Sequence, residues 1–241
     1  MTIGTNSVEY TSMIIAIDGP SGAGKSTLGK MLAKELGLLY LDTGAMYRAV
    51  ALLAGRKGIE LDDAEAVSQN AREAEIELKG EADSLRVFLN GDDVSDEIRT
   101  LEIAQSASVV STISDVRRTM VDLQRKLGEQ SPKGCVLEGR DIGSIVFPNA
   151  DIKFFLTAKP EARARRRFEE DKAKGRVSTY EQTLAEINER DERDVARVDS
   201  PLTIADDAVV IDTSELDLSE VFEQMLAKIG ELKASAASDQ R

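Results

Sequence analysis

Histidine is missing from all 241 residues, and cysteine occurs once. The first absence removes imidazole bases, histidine-containing triads and the commonest zinc ligand together. A single thiol, Cys135, permits neither an intramolecular disulfide nor a cysteine-rich metal site. It lies in the apolar run Cys135-Val136-Leu137, which makes it a buried small hydrophobe by expectation. Positive charge is also in short supply: 31 Lys and Arg against 44 Asp and Glu leave a formal charge of −13. Such a surface repels nucleic acids and anionic membranes, so neither is expected as a partner, although a basic pocket inside an acidic protein stays open. Long hydrophobic runs are lacking too. The first, Met13 to Ile17, is too short for a signal peptide or a membrane span, and no positive charge precedes it. A cytosolic, monomeric protein is the expectation, with residues 1–12 a flexible extension and the small, polar stretch 234–241 a fraying tail.

What is present is a regular alternation. Five short β-like runs occur at Met13–Asp18, Leu38–Asp42, Cys135–Glu138, Asp151–Leu156 and Ala208–Asp212. Four are near-continuously apolar, as strands covered on both faces by helices must be. Helical patterns follow at about 25–36, 45–56, 102–128, 160–173, 180–197 and 217–233. This order predicts an α/β fold, a doubly wound five-stranded parallel sheet. One stretch breaks the rhythm. Ala74–Lys79 and Leu85–Leu89 alternate with period two, and Asn90-Gly91 follows as a hairpin signal. Residues 70–101 therefore read as a small antiparallel β insert, and 160–195 as an arginine-rich helical lid. The core is then 13–69, 102–159 and 196–233.

The strongest motif is Gly19-Pro20-Ser21-Gly22-Ala23-Gly24-Lys25-Ser26, which matches G-x-x-x-x-G-K-[ST] at every fixed position. Its glycines allow backbone N–H groups to wrap a phosphate, and the helix that follows points its positive end at the same place. Lys25 would reach the β- and γ-phosphates of ATP. Ser26 would offer its hydroxyl to Mg²⁺, the expected cofactor, and Thr27 completes the nucleotide-binding run.

The acceptor has to be read from elsewhere. No N-K-x-D sequence is present, which counts against a GTPase, and nothing suggests a motor or helicase. Arg163, Arg165, Arg166 and Arg167 crowd one helix, Arg176 follows Gly175, and Arg190, Arg193 and Arg197 fall at helical spacing. Any one of them could belong to a solvated, salt-bridged helix face. Together they suit transfer of a phosphoryl group between two polyanions, which requires converging cations and exclusion of water. A phosphate acceptor is already an anionic nucleophile, so the missing histidine is no handicap.

Five blocks then resemble the bacterial cytidylate kinases, a P-loop nucleoside monophosphate kinase family. They are Ile17–Lys25, Leu41-Asp-Thr-Gly-Ala-Met-Tyr-Arg48, Asp96-Glu-Ile-Arg-Thr100, Glu138-Gly-Arg-Asp-Ile-Gly143 and Glu189-Arg-Asp-Glu-Arg-Asp194. Order and spacing agree from about Met13 to Leu232. The resemblance implies ATP and CMP or dCMP as substrates and assigns roles. Thr43, Arg48 and Arg140 would hold the acceptor phosphate. Ser108, Arg117 and Asp141 would read the cytosine edge with help from Arg197, while Arg190 and Asp194 would contact the pentose. Lys25, Arg140, Arg166 and Arg167 would be the catalytic cations. The family often has a small residue or aspartate where Glu138 stands, so that glutamate receives no role. A kinase for UMP, AMP or a small metabolite, and a non-catalytic ATP sensor, are the competing readings.

Overall fold

The computed structural model describes residues 12–173 and 175–239. Its main sheet contains β1 (Met13–Asp18), β2 (Leu39–Asp42), β6 (Gly134–Gly139), β7 (Ile152–Thr157) and β8 (Val209–Asp212). The strand order is β2-β6-β1-β7-β8, parallel throughout, as the sequence pattern predicts. In the central strand Ile15, Ala16 and Ile17 are all fully buried, because helices cover both faces. Ile15 and Ile17 pack on Leu28 and Leu32 of α1 (Lys25–Leu36) and on Met225 and Ile229 of α8 (Leu218–Asp239). Ala16 faces the other way, toward Leu137, Ile142 and Val121 of α5 (Ser114–Glu129).

Local chemistry fixes the helix ends that matter for the site. Gly24 caps α1 at φ 92°, and no side chain satisfies the first-turn N–H groups. In α2 (Thr43–Lys57) the Asp42 carboxylate accepts from Ala45 N–H at 2.9 Å, so Asp42 is the cap.

The segment expected as one helix over 102–128 is two, α4 (Leu101–Val110) and α5, with a break at residues 111–113. Ser111 and Thr112 turn their hydroxyls back onto the carbonyls of Ser108 and Val109, competing with the helix ladder there. The insert also differs from expectation. A helix, α3 (Ala64–Glu73), occupies its first residues, built on the buried pair Val67 and Ala71 and capped by Asp63. The strands β3 (Ile76–Lys79), β4 (Arg86–Leu89) and β5 (Asp92–Asp93) follow, and Asn90-Gly91 turns β4 into β5. Finally, α8 runs on to Asp239 instead of fraying after Lys233. The expected N-terminal extension lies, except for Ser12, outside the described residues. Helices α6 (Pro160–Ala173) and α7 (Tyr180–Ala196) pack on each other and complete the fold.

Candidate active site

The carboxyl ends of β1, β6 and β2 come together, with Asp18 level with Gly139 and Asp42 level with Glu138. In an open α/β sheet this is where ligands bind. The loop from Gly19 to Gly24 leaves β1 there. Gly19 sits at φ +144°, and a Cβ on it would lie 2.0 Å from the Leu156 carbonyl oxygen, so only glycine fits. Lys25 is buried and donates to the Pro20 carbonyl at 2.7 Å, folding its ammonium over the loop. Burial first, then the charge of Arg140, pulls the Lys25 ammonium well below the ordinary lysine range. An arriving phosphate, of opposite charge, reverses that penalty.

Opposite the loop stands a cluster with one carboxylate at its centre. Asp194 on α7 is 1% exposed. Its Oδ2 accepts from Arg140 Nε at 2.6 Å, and its Oδ1 accepts from Arg197. Burial works to raise its pKa, but Arg140, Arg197 and Arg190 outweigh that and hold it at about 2. The Arg190 side chain makes no hydrogen bond among the described residues, and its Nε is buried without a partner. Burial, then the nearby Arg140, lowers it to about 10. Arg48, which bonds Asp42 at 2.9 Å, belongs to the same neighbourhood. Four guanidiniums, those of Arg48, Arg140, Arg190 and Arg197, gather here around Asp42 and Asp194. Inside a protein of net charge −13, such a local concentration of positive charge suits a polyanion.

A second group lies deeper. Arg117, 3% exposed, donates to Asp141 at 2.5 Å and to the last-turn carbonyl of Ser111 at 3.1 Å. Its guanidinium lies 5.6 Å from the centre of the Tyr47 ring, within cation–π range. Ser108 Oγ accepts from Arg193 Nη1 at 2.6 Å, which brings α7 across to α4. Thr43 is buried against β6, donating to the Glu138 carbonyl at 2.6 Å.

The loop carrying Arg140 and Asp141 is anchored by a residue the sequence reading passed over. Ile142 N–H and Gly143 N–H donate to Asp18 Oδ1 and Oδ2 at 2.8 and 2.7 Å. Burial nevertheless pushes the Asp18 carboxyl up to about 6, the two N–H bonds working against it. A π-helical turn follows, closed by Phe147 N–H to the Ile142 carbonyl at 2.7 Å. Arg125 fixes its far end through the carbonyls of Val146 and Ile145.

The remaining expected residues are placed differently. Arg166 is tied to Thr213 and the Leu216 carbonyl, and Arg167 donates to Asp171 at 3.1 Å. Both still line a cleft of about 470 Å³ between α4, α6, α7 and the Gly19–Gly24 loop. The α6 arginine that touches the loop itself is Arg163, which donates to Ser21 O at 3.1 Å and to Asp191 at 2.6 Å. Nothing in the spacing distinguished it from its neighbours. Cys135 is fully buried, and burial pushes its thiol up to about 12, which leaves it inert.

For a divalent cation the donors are hard oxygens. Ser26 lies against Glu138, whose carboxyl also accepts from the Tyr40 hydroxyl at 2.6 Å. Burial, then the neighbouring Asp42, raises Glu138. No group of three or more His, Cys, Asp or Glu among the described residues could hold a metal ion unaided. An ion shared with substrate phosphates, the habit of Mg²⁺, fits that donor set.

The cytidylate kinase family model matches residues 15–231. The chain belongs to the cytidylate kinase family. The cytidylate kinase of Caldanaerobacter subterraneus subsp. tengcongensis is 53% identical, over 89% of this chain and 93% of that protein. That of Pelotomaculum thermopropionicum is 50% identical, over 89% of this chain and 95% of its own length. The Geobacter sp. relative of the same name is 49% identical, over 90% and 93%. The protein is accordingly a P-loop kinase, a phosphotransferase of the nucleoside monophosphate kinase type. No helix among the described residues is long and apolar enough to cross a membrane.

Proposed function

We propose that this enzyme transfers the γ-phosphoryl group of ATP to CMP and dCMP, giving ADP with CDP or dCDP. The observation that carries the proposal is the meeting of two sites: Asp18 is level with Gly139, so the phosphate loop starting at Gly19 and the loop carrying Arg140 leave neighbouring strand ends side by side. Phosphates held on the two sides would be close enough for direct in-line transfer.

On the donor side, residues Gly19 to Thr27 hold the triphosphate with backbone N–H groups, and Lys25 neutralises its β- and γ-oxygens. Ser26 would hold Mg²⁺, which supplies charge neutralisation on those same oxygens when bound. On the acceptor side, Thr43, Arg48 and Arg140 take the monophosphate, and Arg190 and Asp194 take the pentose. Ser108, Arg117 and Asp141 read the base, with Arg197 holding Asp194 in place. Arg166 and Arg167 join the transferring group from the lid, which requires them to leave Thr213 and Asp171. No base is needed, because the attacking acceptor oxygen is anionic at neutral pH. Division into a core, an insert at 70–101 and a lid at 160–195 follows from these roles. An acidic, monomeric, cytosolic enzyme without nucleic-acid partners is the reading that composition supports.

Steady-state ADP formation with purified protein, ATP and Mg²⁺ tests the proposal, with CMP, dCMP, UMP and AMP compared as acceptors. The cytosine nucleotides are expected to give the highest kcat/KM. Preference for UMP or AMP, or ATP turnover independent of acceptor, contradicts it.

A further inference from the structure

Asp18 has no part in the roles above, yet it stands between the phosphate loop and the loop that carries Arg140. Its backbone ends β1 and leads directly into the phosphate loop at Gly19. Its side chain, in a residue 5% exposed, reaches sideways and accepts from Ile142 N–H and Gly143 N–H at 2.8 and 2.7 Å. The ladder between β1 and β6 stops where Asp18 pairs with Gly139. Beyond that point only Arg140 and Asp141 intervene before the pinned Ile142. Those two residues are therefore held from both ends, by the sheet on one side and by one carboxylate on the other.

The π-helical turn that begins at Ile142 leaves its first N–H groups free, and Asp141 at its head supplies no side-chain cap. Asp18 caps it instead, from another strand. The approach is close: a Cβ on Gly143 would lie 3.4 Å from Asp18 Oδ2 and 2.9 Å from Lys153 Cδ. Stability does not account for this arrangement. Burial, the leading influence, pushes the Asp18 carboxyl up to about 6, above its ordinary 3.8. A group raised in this way binds more protons folded than unfolded. The fold therefore loses stability as pH rises from about 4 to 6, and at neutral pH the buried charge is a net cost. What the carboxylate contributes is geometry. Between two phosphates geometry weighs heavily, since no base is required and a misplacement of about 1 Å lowers the rate roughly a hundredfold.

We propose that Asp18 is a positioning residue for phosphoryl transfer: its one side chain fixes the Arg140 loop in register with the phosphate loop, so that the two bound nucleotides are aligned. The proposal rests on the reading of Arg140 as a holder of the acceptor phosphate. Asp18 touches neither nucleotide in this account. It sets the rate of the step between them and not the affinity for either.

The test separates rate from affinity in the wild type, D18N and D18E. Asparagine keeps the shape but has a single accepting oxygen, so in either orientation its NH₂ group faces a backbone N–H. Glutamate keeps the charge and both oxygens but is one methylene longer. The rate is read as single-turnover transfer from ATP to CMP with Mg²⁺ and both nucleotides saturating. Affinity is read by calorimetry as the Kd of ATP and of CMP, each alone. D18N is expected to lower the transfer rate roughly 10²-fold and D18E roughly tenfold or more. Each Kd is expected to stay within about threefold of the wild type. Near-normal transfer in D18N overturns the proposal. So does full activity in D18E, because charge alone would then suffice. A Kd raised in step with the lost rate, or loss of the cooperative melt in both variants, makes Asp18 a residue of the pocket or of the fold and overturns it as well. A wild type that transfers nothing to CMP contradicts the acceptor assignment itself, a failure visible before any variant is compared.

Discussion

The loop from Gly19 to Gly24 offers backbone N–H groups to the cleft, whereas the facing wall offers guanidinium groups from α2, α7 and the loop that follows β6. The loop is local. Positive φ at Gly19, Gly22 and Gly24 shapes it, and the steric demand at Gly19, whose Cβ would strike Leu156, comes from a strand packed beside it. The facing wall is a network in which Arg140, Arg190 and Arg197 surround Asp194, and Arg117 pairs with Asp141. A backbone site costs little to hold open, since its dipoles are part of the helix start. Four guanidiniums gathered in one site repel one another, Asp194 and Asp141 offset that only in part, and an anionic ligand relieves the rest. One wall thus binds phosphate generically, and the other can be selective.

That contrast can be broken from the donor side first. Lys25 makes a single hydrogen bond, to the carbonyl of Pro20, so Lys25→Ala is expected to leave the thermal melt nearly unchanged. Its kcat is expected to fall roughly 10²- to 10³-fold, as for loss of one preorganised charge at the reacting group. Near-normal turnover in steady-state kinetics would defeat the donor half of the mechanism.

The acceptor wall should respond in stability as well. Asp194→Asn strips the central charge from Arg140, Arg197 and Arg190 and is expected to cost about 3 kcal/mol at neutral pH, the scale of a broken buried pair. The pH dependence has a definite sign. A carboxyl held at about 2, below its usual value, binds fewer protons folded than unfolded. Its contribution is therefore full above about pH 4 and is lost as pH falls through 2. Denaturant unfolding of both proteins between pH 2 and 5 should show the gap closing toward acid. A gap that stays constant with pH would contradict the role given to the arginines.

The same contrast explains what was legible in the chain. The parallel sheet was readable because Met13–Asp18 and its partners are apolar on both faces, and the phosphate loop because its constraints lie within eight consecutive residues. The break at residues 111–113 was not. Apolar periodicity continues across it, and only the turn of the Ser111 and Thr112 hydroxyls onto nearby carbonyls ends the helix. In α3 the buried residues are Val67, Ser68, Asn70 and Ala71, and two of the four are polar, so the apolar run that would announce the helix is missing. The acceptor wall draws on residues far apart in the chain, Ser108 and Arg193 by 85 positions, so composition could indicate a basic pocket but not its members. Family resemblance named most of them. It passed over Asp18 and Arg193, which act on other residues of the site, and over Arg163, which joins α6 to the phosphate loop.

The central claim is that the two walls are separately built, one for the triphosphate and one for the acceptor base. Asp141→Asn tests it most directly, because asparagine preserves the shape and an oxygen for Arg117 but removes the charge. Steady-state kinetics with ATP and CMP varied in turn should show the KM for CMP raised roughly tenfold or more, with the KM for ATP within about twofold of the wild type. An equal rise in both would contradict the account.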